Sequence, residues 1–273
     1  MRHLIQVAAR ETRLGFRNPW AYSFMALFAL FMLGLLLINA QGYVQGYSGT
    51  TGTLLNLSVY LLPLMALLLG SFSLATEKEE GSWELLSVYP LSTASFIVGK
   101  YGGLALVLIV IVSVGFGLSG LIGSLAGASF GFQTYVQLLV FSVSVSLLYL
   151  AVAMLVGTIA KNRWQALTIG VSIWFFTVIG WAPILLAALG FLPYPLIKPV
   201  LSVLTLLNPA ELARLFTVVK LGGGSIMGPE YYEWMLWVKR PTGTIAYIAA
   251  VTVWIGAAVG ASQLIWERRR SRG

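Results

Sequence analysis

Residues 54–100 read LLNLSVYLLPLMALLLGSFSLATEKEEGSWELLSVYPLSTASFIVGK, and their reading decides the fold. The first part, 54–75, carries no charge and is long enough for the ~20 residues that cross a bilayer core. Charge then returns abruptly in Glu77, Lys78, Glu79 and Glu80. Thr76 and Glu79 form a capping-box pattern, which predicts a helical turn restarting there. Gly81-Ser82 can end that turn and begin another. Trp83, Leu85 and Leu86 then offer an apolar surface beside Glu84, Pro90 ends the segment, and Ser92 can cap the next helix. The pattern predicts a short helix held between two spans, acidic at its start and apolar on one side. Such a helix suits docking into a groove on a partner; the plainer reading is a solvated loop with an acidic cluster.

Outward from this stretch the chain keeps the same character. Of its 273 residues 58% are hydrophobic and 10% charged, against roughly 25% charged in soluble domains. Spans are expected near 20–40, 54–75, 101–126, 134–160, 165–190 and 243–266, and none holds Asp, Glu, Lys, Arg or His. Ion-coupled carriers and pumps place such groups within the membrane, so the energy source is expected on another chain. The run at 20–40 exceeds the 7–15 residues of a signal peptide's apolar region and is read as a retained helix.

Lys and Arg gather in the segments that would share one side: Arg2, Arg10, Arg13, Arg17, Lys78, Lys100, Lys161, Arg163 and the Arg268–Arg272 tail. The opposite side holds Lys198, Arg214, Lys220, Lys239 and Arg240, all in one long loop. The net charge of +8 is therefore read as topology, with both termini cytoplasmic, and not as a nucleic-acid surface. Residues 1–18 place Arg2, Gln6, Arg10, Arg13 and Arg17 on one helical face, with Leu4, Val7, Ala8 and Leu14 largely off it. That suits a helix lying on the membrane; a solvated basic tail is the alternative. Asn18-Pro19 breaks it from the first span. Ser113, Gly117, Gly120, Gly123, Ser124 and Gly127 make a small-residue stripe, either a seam within the chain or a dimer face. Pro63 and Pro183 predict kinks.

Residues 191–242 are expected as an outer helical platform. Asn208 is a good N-cap, Pro209 suits the first helical position, and Glu211 follows three residues after the cap. Leu212, Leu215, Phe216 and Val219 share a face, Arg214 lies off it, and Gly222-Gly223-Gly224 stops the helix. A second helix from Pro229 carries Tyr231, Tyr232, Trp234 and Trp237, aromatics that favour a membrane interface.

The ordered run Glu77–Lys100 resembles the coupling-helix signature of ABC-2 permeases: an acid-rich start, Gly-Ser, Glu-Leu-Leu, Pro-x-Ser, and Gly-Lys before the next span. Thr93 departs from it, where the family often has Arg. The resemblance implies one all-α transmembrane domain over 1–273, with an elbow helix, six spans, a coupling region at 76–100 and outer amphipathic helices. It also implies a homodimer with two ABC ATPase subunits, which would meet Glu77, Glu79, Glu80, Gly81, Ser82, Trp83, Glu84, Leu85, Leu86 and Ser87. Leu207-Asn208-Pro209 with Arg214-Leu215, the Tyr89-Pro90-Leu91 turn, and the Arg10-Glu11 to Arg17-Asn18 elbow are similar to the Nos-type subgroup. There an extracytoplasmic β-helical protein takes part in copper-site maturation of nitrous-oxide reductase. Such a partner would meet Asn208, Pro209, Glu211, Arg214, Leu215, Tyr231, Tyr232 and Trp234.

No enzyme site is expected. Gly99-Lys100 lacks the upstream glycine of a phosphate loop and is followed by Tyr101, so ATP and Mg belong to a partner ATPase. Cysteine is absent, the single histidine is His3, and Met25, Met32, Met65 and Met154 are spread over three spans, so no metal site or other cofactor is expected here. The remaining readings are an ABC-2 exporter of a lipid, drug, peptide or ion, and a membrane enzyme, against which the lack of charged groups in the expected spans counts.

Overall fold

The computed structural model describes residues 2–38, 43–81, 92–125, 129–224 and 232–270. Over these the chain is helical, apart from a two-residue parallel ladder pairing Tyr43–Val44 with Ser129–Phe130. The helices are α1 (Arg2–Arg17), α2 (Pro19–Ile38), α3 (Gly49–Glu79), α4 (Thr93–Leu125), α5 (Phe132–Ile159), α6 (Arg163–Trp174), α7 (Trp181–Gly190), α8 (Tyr194–Leu207), α9 (Pro209–Lys220), α10 (Tyr232–Lys239) and α11 (Pro241–Arg270). Among the described residues α3, α4, α5 and α11 are each long and apolar enough to cross a membrane. The bent pairs α1–α2, α6–α7 and α8–α9 raise the count to as many as seven.

Helix ends follow local chemistry. Ser48 caps α3 reciprocally: its hydroxyl accepts from Thr51 N at 3.3 Å, and Thr51 Oγ1 accepts from Ser48 N at 2.7 Å. The start of α3 thus lies five residues before the expected span, because a Ser/Thr box also serves as a cap. Thr76 does not restart a helix; α3 runs through it to Glu79, and the stop is Gly81, whose φ of +68° only glycine adopts readily. Asn18 accepts from Trp20 N at 3.1 Å where α1 and α2 bend by 65°.

The expected kinks move. α3 passes through Pro63 as one 31-residue helix. The bend near Pro183 falls instead at Gly180, where α6 and α7 diverge by 54°. There a wide turn over Phe175–Ile179 lets Gly180 N donate to Phe175 O at 2.8 Å. Pro183 has no N–H to offer the carbonyl four residues back, so the helix yields one turn earlier.

The core lies between α3 and α5, where Gly70 meets Ala153 and Leu150, and Gly157 meets Leu74 and Ser71. Tyr149, Leu67 and Met154 are buried there. The apolar side of α1 packs on α4: a Cβ on Gly103 would lie 2.5 Å from Ala8 O, and one on Gly99 2.9 Å from Leu4 O. Of the stripe farther along α4, Gly120 lies against Tyr135 within the chain and Gly117 faces open space, while Gly127 lies outside the described residues; Gly115, next to the stripe, lies against Phe28.

Two ends result. At one, the loops at 43–48, 129–134 and 221–224 meet: Tyr47 N donates to Leu221 O at 2.8 Å and Gly46 N to Thr134 Oγ1 at 3.0 Å. At the other, residues 10–11, 73–80, 96–100, 157–163 and 266 converge.

Candidate functional site

Successive residues on a helix point about 100° apart, so four in a row look in four directions. Glu77, Lys78, Glu79 and Glu80 are the last turn of α3 and its cap, and between them they reach three different neighbourhoods. Glu77 is 5% exposed. Its Oε1 lies 3.0 Å from Arg10 Nη1 on α1 and 3.2 Å from Lys100 Nζ on α4, while Oε2 has no hydrogen-bond partner among the described residues.

Lys100 is 1% exposed and Glu11 2%. Lys100 Nζ lies 2.7 Å from Glu11 Oε1, as an ion pair off the hydrogen-bond direction, and donates to Ser73 Oγ at 2.7 Å. Ser73 donates onward to Glu11 Oε2 at 2.8 Å. Glu11 and Glu77 thus face Lys100 and Arg10, and charge is balanced in a place where an unpaired ion would be costly.

Lys78 turns the other way. Its Nζ donates to Gly157 O, Thr158 O and Ala160 O at 2.8, 2.5 and 2.8 Å, and sits 5.3 Å over the Trp266 ring of α11. It caps α5, whose last carbonyls lack helical donors and attract a cation. Glu79 accepts from Arg163 N at 2.8 Å and pairs with Arg163 Nε at 2.9 Å, and Glu80 lies 3.6 Å from Arg163 Nη2. A carboxylate at the first N–H of α6 is favourable for the converse reason.

Of the residues read as facing an ATPase, Glu77 is therefore turned inward, and Glu79 is shared between Arg163 and solvent. Glu80 and Gly81 are exposed. Ser82, Trp83, Glu84, Leu85, Leu86 and Ser87 lie outside the described residues. Sequence reading missed Glu11, Ser73, Lys100 and Arg163 as partners. A signal existed for one: Glu11 falls in register with Leu4, Val7 and Ala8, on the apolar side of an otherwise basic helix.

The second group is also part of the chain's own framework. Asn208 is 1% exposed. Its Oδ1 accepts from Ala210 N at 2.9 Å and Glu211 N at 3.4 Å, as its capping position predicts, and its Nδ2 donates to Thr177 O at 2.7 Å. Thr177 sits in the wide turn before Gly180 and accepts from Tyr149 OH at 2.7 Å. Tyr149 lies ten residues from the Ile159 end of α5, about 15 Å along its axis. The apex between α8 and α9, where the chain turns by 109°, therefore sits within the length of the bundle, and α9 climbs back to Leu221 at the loop end.

Pro209 is buried, and Glu211 and Arg214 form a two-pronged pair, with Arg214 Nη2 2.7 Å from Glu211 Oε1 and Nε 3.2 Å from Oε2. Leu215 is half-buried. Tyr231 and the side chains of Tyr232 and Trp234 lie outside the described residues.

Helices of membrane-spanning length define a multi-pass membrane protein, and the chain belongs to the ABC-2 family transporter proteins, whose sequence pattern it matches over residues 5–270. Within that class it is similar to the "Probable ABC transporter permease protein NosY" of Stutzerimonas stutzeri, 28% identical over 278 residues covering 98% of this chain and 99% of the relative. It is also similar to the protein of the same name from Pseudomonas aeruginosa, 29% identical over 272 residues covering 96% of this chain and 97% of that one.

Proposed function

We propose that this chain is the non-catalytic permease subunit of a Nos-type ATP-driven transporter. It lies in the cytoplasmic membrane with both termini inside, as a homodimer carrying two ABC ATPase subunits on its charged end. It passes ATP-driven motion to an extracytoplasmic β-helical protein in copper-site maturation of nitrous-oxide reductase, by mechanical transmission, export of a small species, or both. The observation that carries this reading is the junction at Glu77–Glu80. There the turn that leads into the Ser82–Ser87 segment is bonded to α1, α4, α5, α6 and α11 together. A push delivered to that segment would not stop at α3.

The near-full-length likeness to two permeases named NosY supports the narrower identity. In this reading Glu80, Gly81 and the Trp83, Glu84, Leu85 and Leu86 surface receive the ATPase, and Glu77 acts behind them. Tyr231, Tyr232 and Trp234, which follow the loop end at Leu221, would meet the outer partner, whereas Asn208, Pro209, the Glu211–Arg214 pair and Leu215 belong to α9 within the bundle and would act behind that surface.

The test is a gentle-detergent pull-down of the chain from its own host, with mass spectrometry of the co-purifying proteins. An ABC ATPase together with an extracytoplasmic β-helical protein is the expected result. The ATPase alone would replace the Nos-type reading with an ABC-2 exporter of a lipid, drug, peptide or ion. No ATPase would overturn both.

A further inference from the structure

The ties made by the end of α3 are not equal in strength. The Glu77–Lys100–Glu11 cluster is buried, and its three charged side chains are each at most 7% exposed. The Glu79–Arg163 and Glu80–Arg163 pairs are open to solvent, with side chains 32–59% exposed. Buried pairs are shielded from salt and hold their geometry, whereas exposed pairs contribute little individually and open readily.

The elements on the far side of each tie differ in the same sense. α1 is fastened along α4 by close backbone approach at Gly99 and Gly103. The α6–α7 arm is held along one part only: α6 packs on α3, with Ala166 clustered with Ala75 and Gly170 facing Leu67, and α7 has no buried residue. Its polar anchors are Glu79 and Glu80 at Arg163, the Trp174 Nε1 bond to Tyr60 O at 2.8 Å, and the Asn208 and Tyr149 bonds to Thr177. The 54° bend at Gly180 then separates α6 from α7.

We propose that Glu79, with Glu80 beside it, is a positioning residue that steers the α6–α7 arm through Arg163, while Glu77, Lys100 and Glu11 weld α1, α3 and α4 into one rigid body. The inference rests on the permease reading above. It assigns the two adjoining carboxylates different work: Glu77 fixes the body that moves, and Glu79 is the releasable link to the arm that follows. Glu79 suits the second role because it binds both the Arg163 side chain and its backbone N–H. The contact therefore fixes where α6 begins, and not merely where an arginine side chain lies.

The chain has no cysteine, so it adds no background thiol of its own to introduced spin labels. In the permease–ATPase complex, with labelled chains diluted by unlabelled ones, one pair joins Leu186 on α7 to Leu106 on α4, and a second joins Ile5 on α1 to Leu106. All three positions are exposed. Distances are measured without nucleotide and with ATP trapped. In the wild type the Leu186–Leu106 distance is expected to shift on trapping and the Ile5–Leu106 distance to stay fixed. Glu79→Gln with Glu80→Gln should lose most of the first shift while still retaining the ATPase. Glu79→Arg combined with Arg163→Glu should recover only part of it, because the side-chain pair returns while an arginine at position 79 cannot accept from the residue 163 N–H.

Raising the salt of the wild-type complex to about 0.5 M, where charges a few ångströms apart in solvent are screened, should mimic the glutamine variant and needs no substitution. A full shift in the glutamine variant and at high salt, or an Ile5–Leu106 distance that changes with ATP, overturns the inference and leaves the permease reading standing. Absence of a bound ATPase from the wild type removes both.

Discussion

Lys100→Met tests the buried cluster most directly. The lysine is 1% exposed, and its Nζ meets Glu11 Oε1 at 2.7 Å, Ser73 Oγ at 2.7 Å and Glu77 Oε1 at 3.2 Å. Methionine fills a similar volume, so the change removes charge more than packing. Glu77 keeps Arg10 at 3.0 Å. Glu11 keeps the Ser73 hydroxyl at 2.8 Å and otherwise faces Arg10 only at 4.0 Å. Breaking one side of a buried pair costs about 3–5 kcal/mol, because the other charge stays buried. For a chain of this size each kcal/mol moves the melting midpoint by about 2–4 °C, so the purified permease in detergent should melt on the order of 10 °C lower.

Glu11→Gln should cost less, about 1–3 kcal/mol, because the amide oxygen still accepts from Ser73 and Lys100 still has Glu77. Combined in one chain, the two changes should be milder than Lys100→Met alone, since each removes the charge the other leaves stranded. A Lys100→Met midpoint within about 2 °C of the wild type would refute the reasoning. So would a double variant whose losses simply add.

Gly103→Val should peel α1 from α4, because its Cβ would lie 2.5 Å from Ala8 O and 2.7 Å from Glu11 Cβ; a loss of about 1–3 kcal/mol and faster proteolysis within residues 2–17 are expected. Gly102→Val, where nothing lies within 4 Å, is the matched control and should be silent in the same digest. Asn208→Ala should lower stability by about 1 kcal/mol for the lost cap and about 1–3 kcal/mol more for the unpaired Thr177 carbonyl, and Asn208→Asp, which keeps the cap but turns a buried carboxylate oxygen onto that carbonyl, should lose at least as much in a melting series. Lys78→Met should uncap α5, and amide exchange at residues 160–163 should rise while that of α4 does not.

Much of the fold was legible because lipid imposes simple length rules. A run of apolar residues without a charge has to form a helix of spanning length, whatever it later packs against. The starts and stops that rest on local chemistry were legible too. Asn208-Pro209 caps and begins α9, and Gly81 and Gly222, both at positive φ, end α3 and α9. The misplaced features came from local signals that tertiary context overrode. Thr76 and Glu79 fit a capping box, yet α3 continues, because Glu79 is drawn to the first N–H of α6 and not to its own backbone. Pro183 does go with a bend, but one turn before itself, at Gly180, because the carbonyl left without its N–H lies there.

The sequence by itself determined that charge would collect beside the apolar runs, and in which segments. It also determined that α1 would have two unlike faces. What it left open was which charge meets which. Glu77, Lys78, Glu79 and Glu80 are neighbours in the chain and read as one acidic patch, yet they part company in the bundle. One goes to α1 and α4, one to α5 and α11, and two to α6. The reason is geometric. Helical rotation sends adjacent side chains apart, and only the packing of the surrounding helices places a partner in each direction.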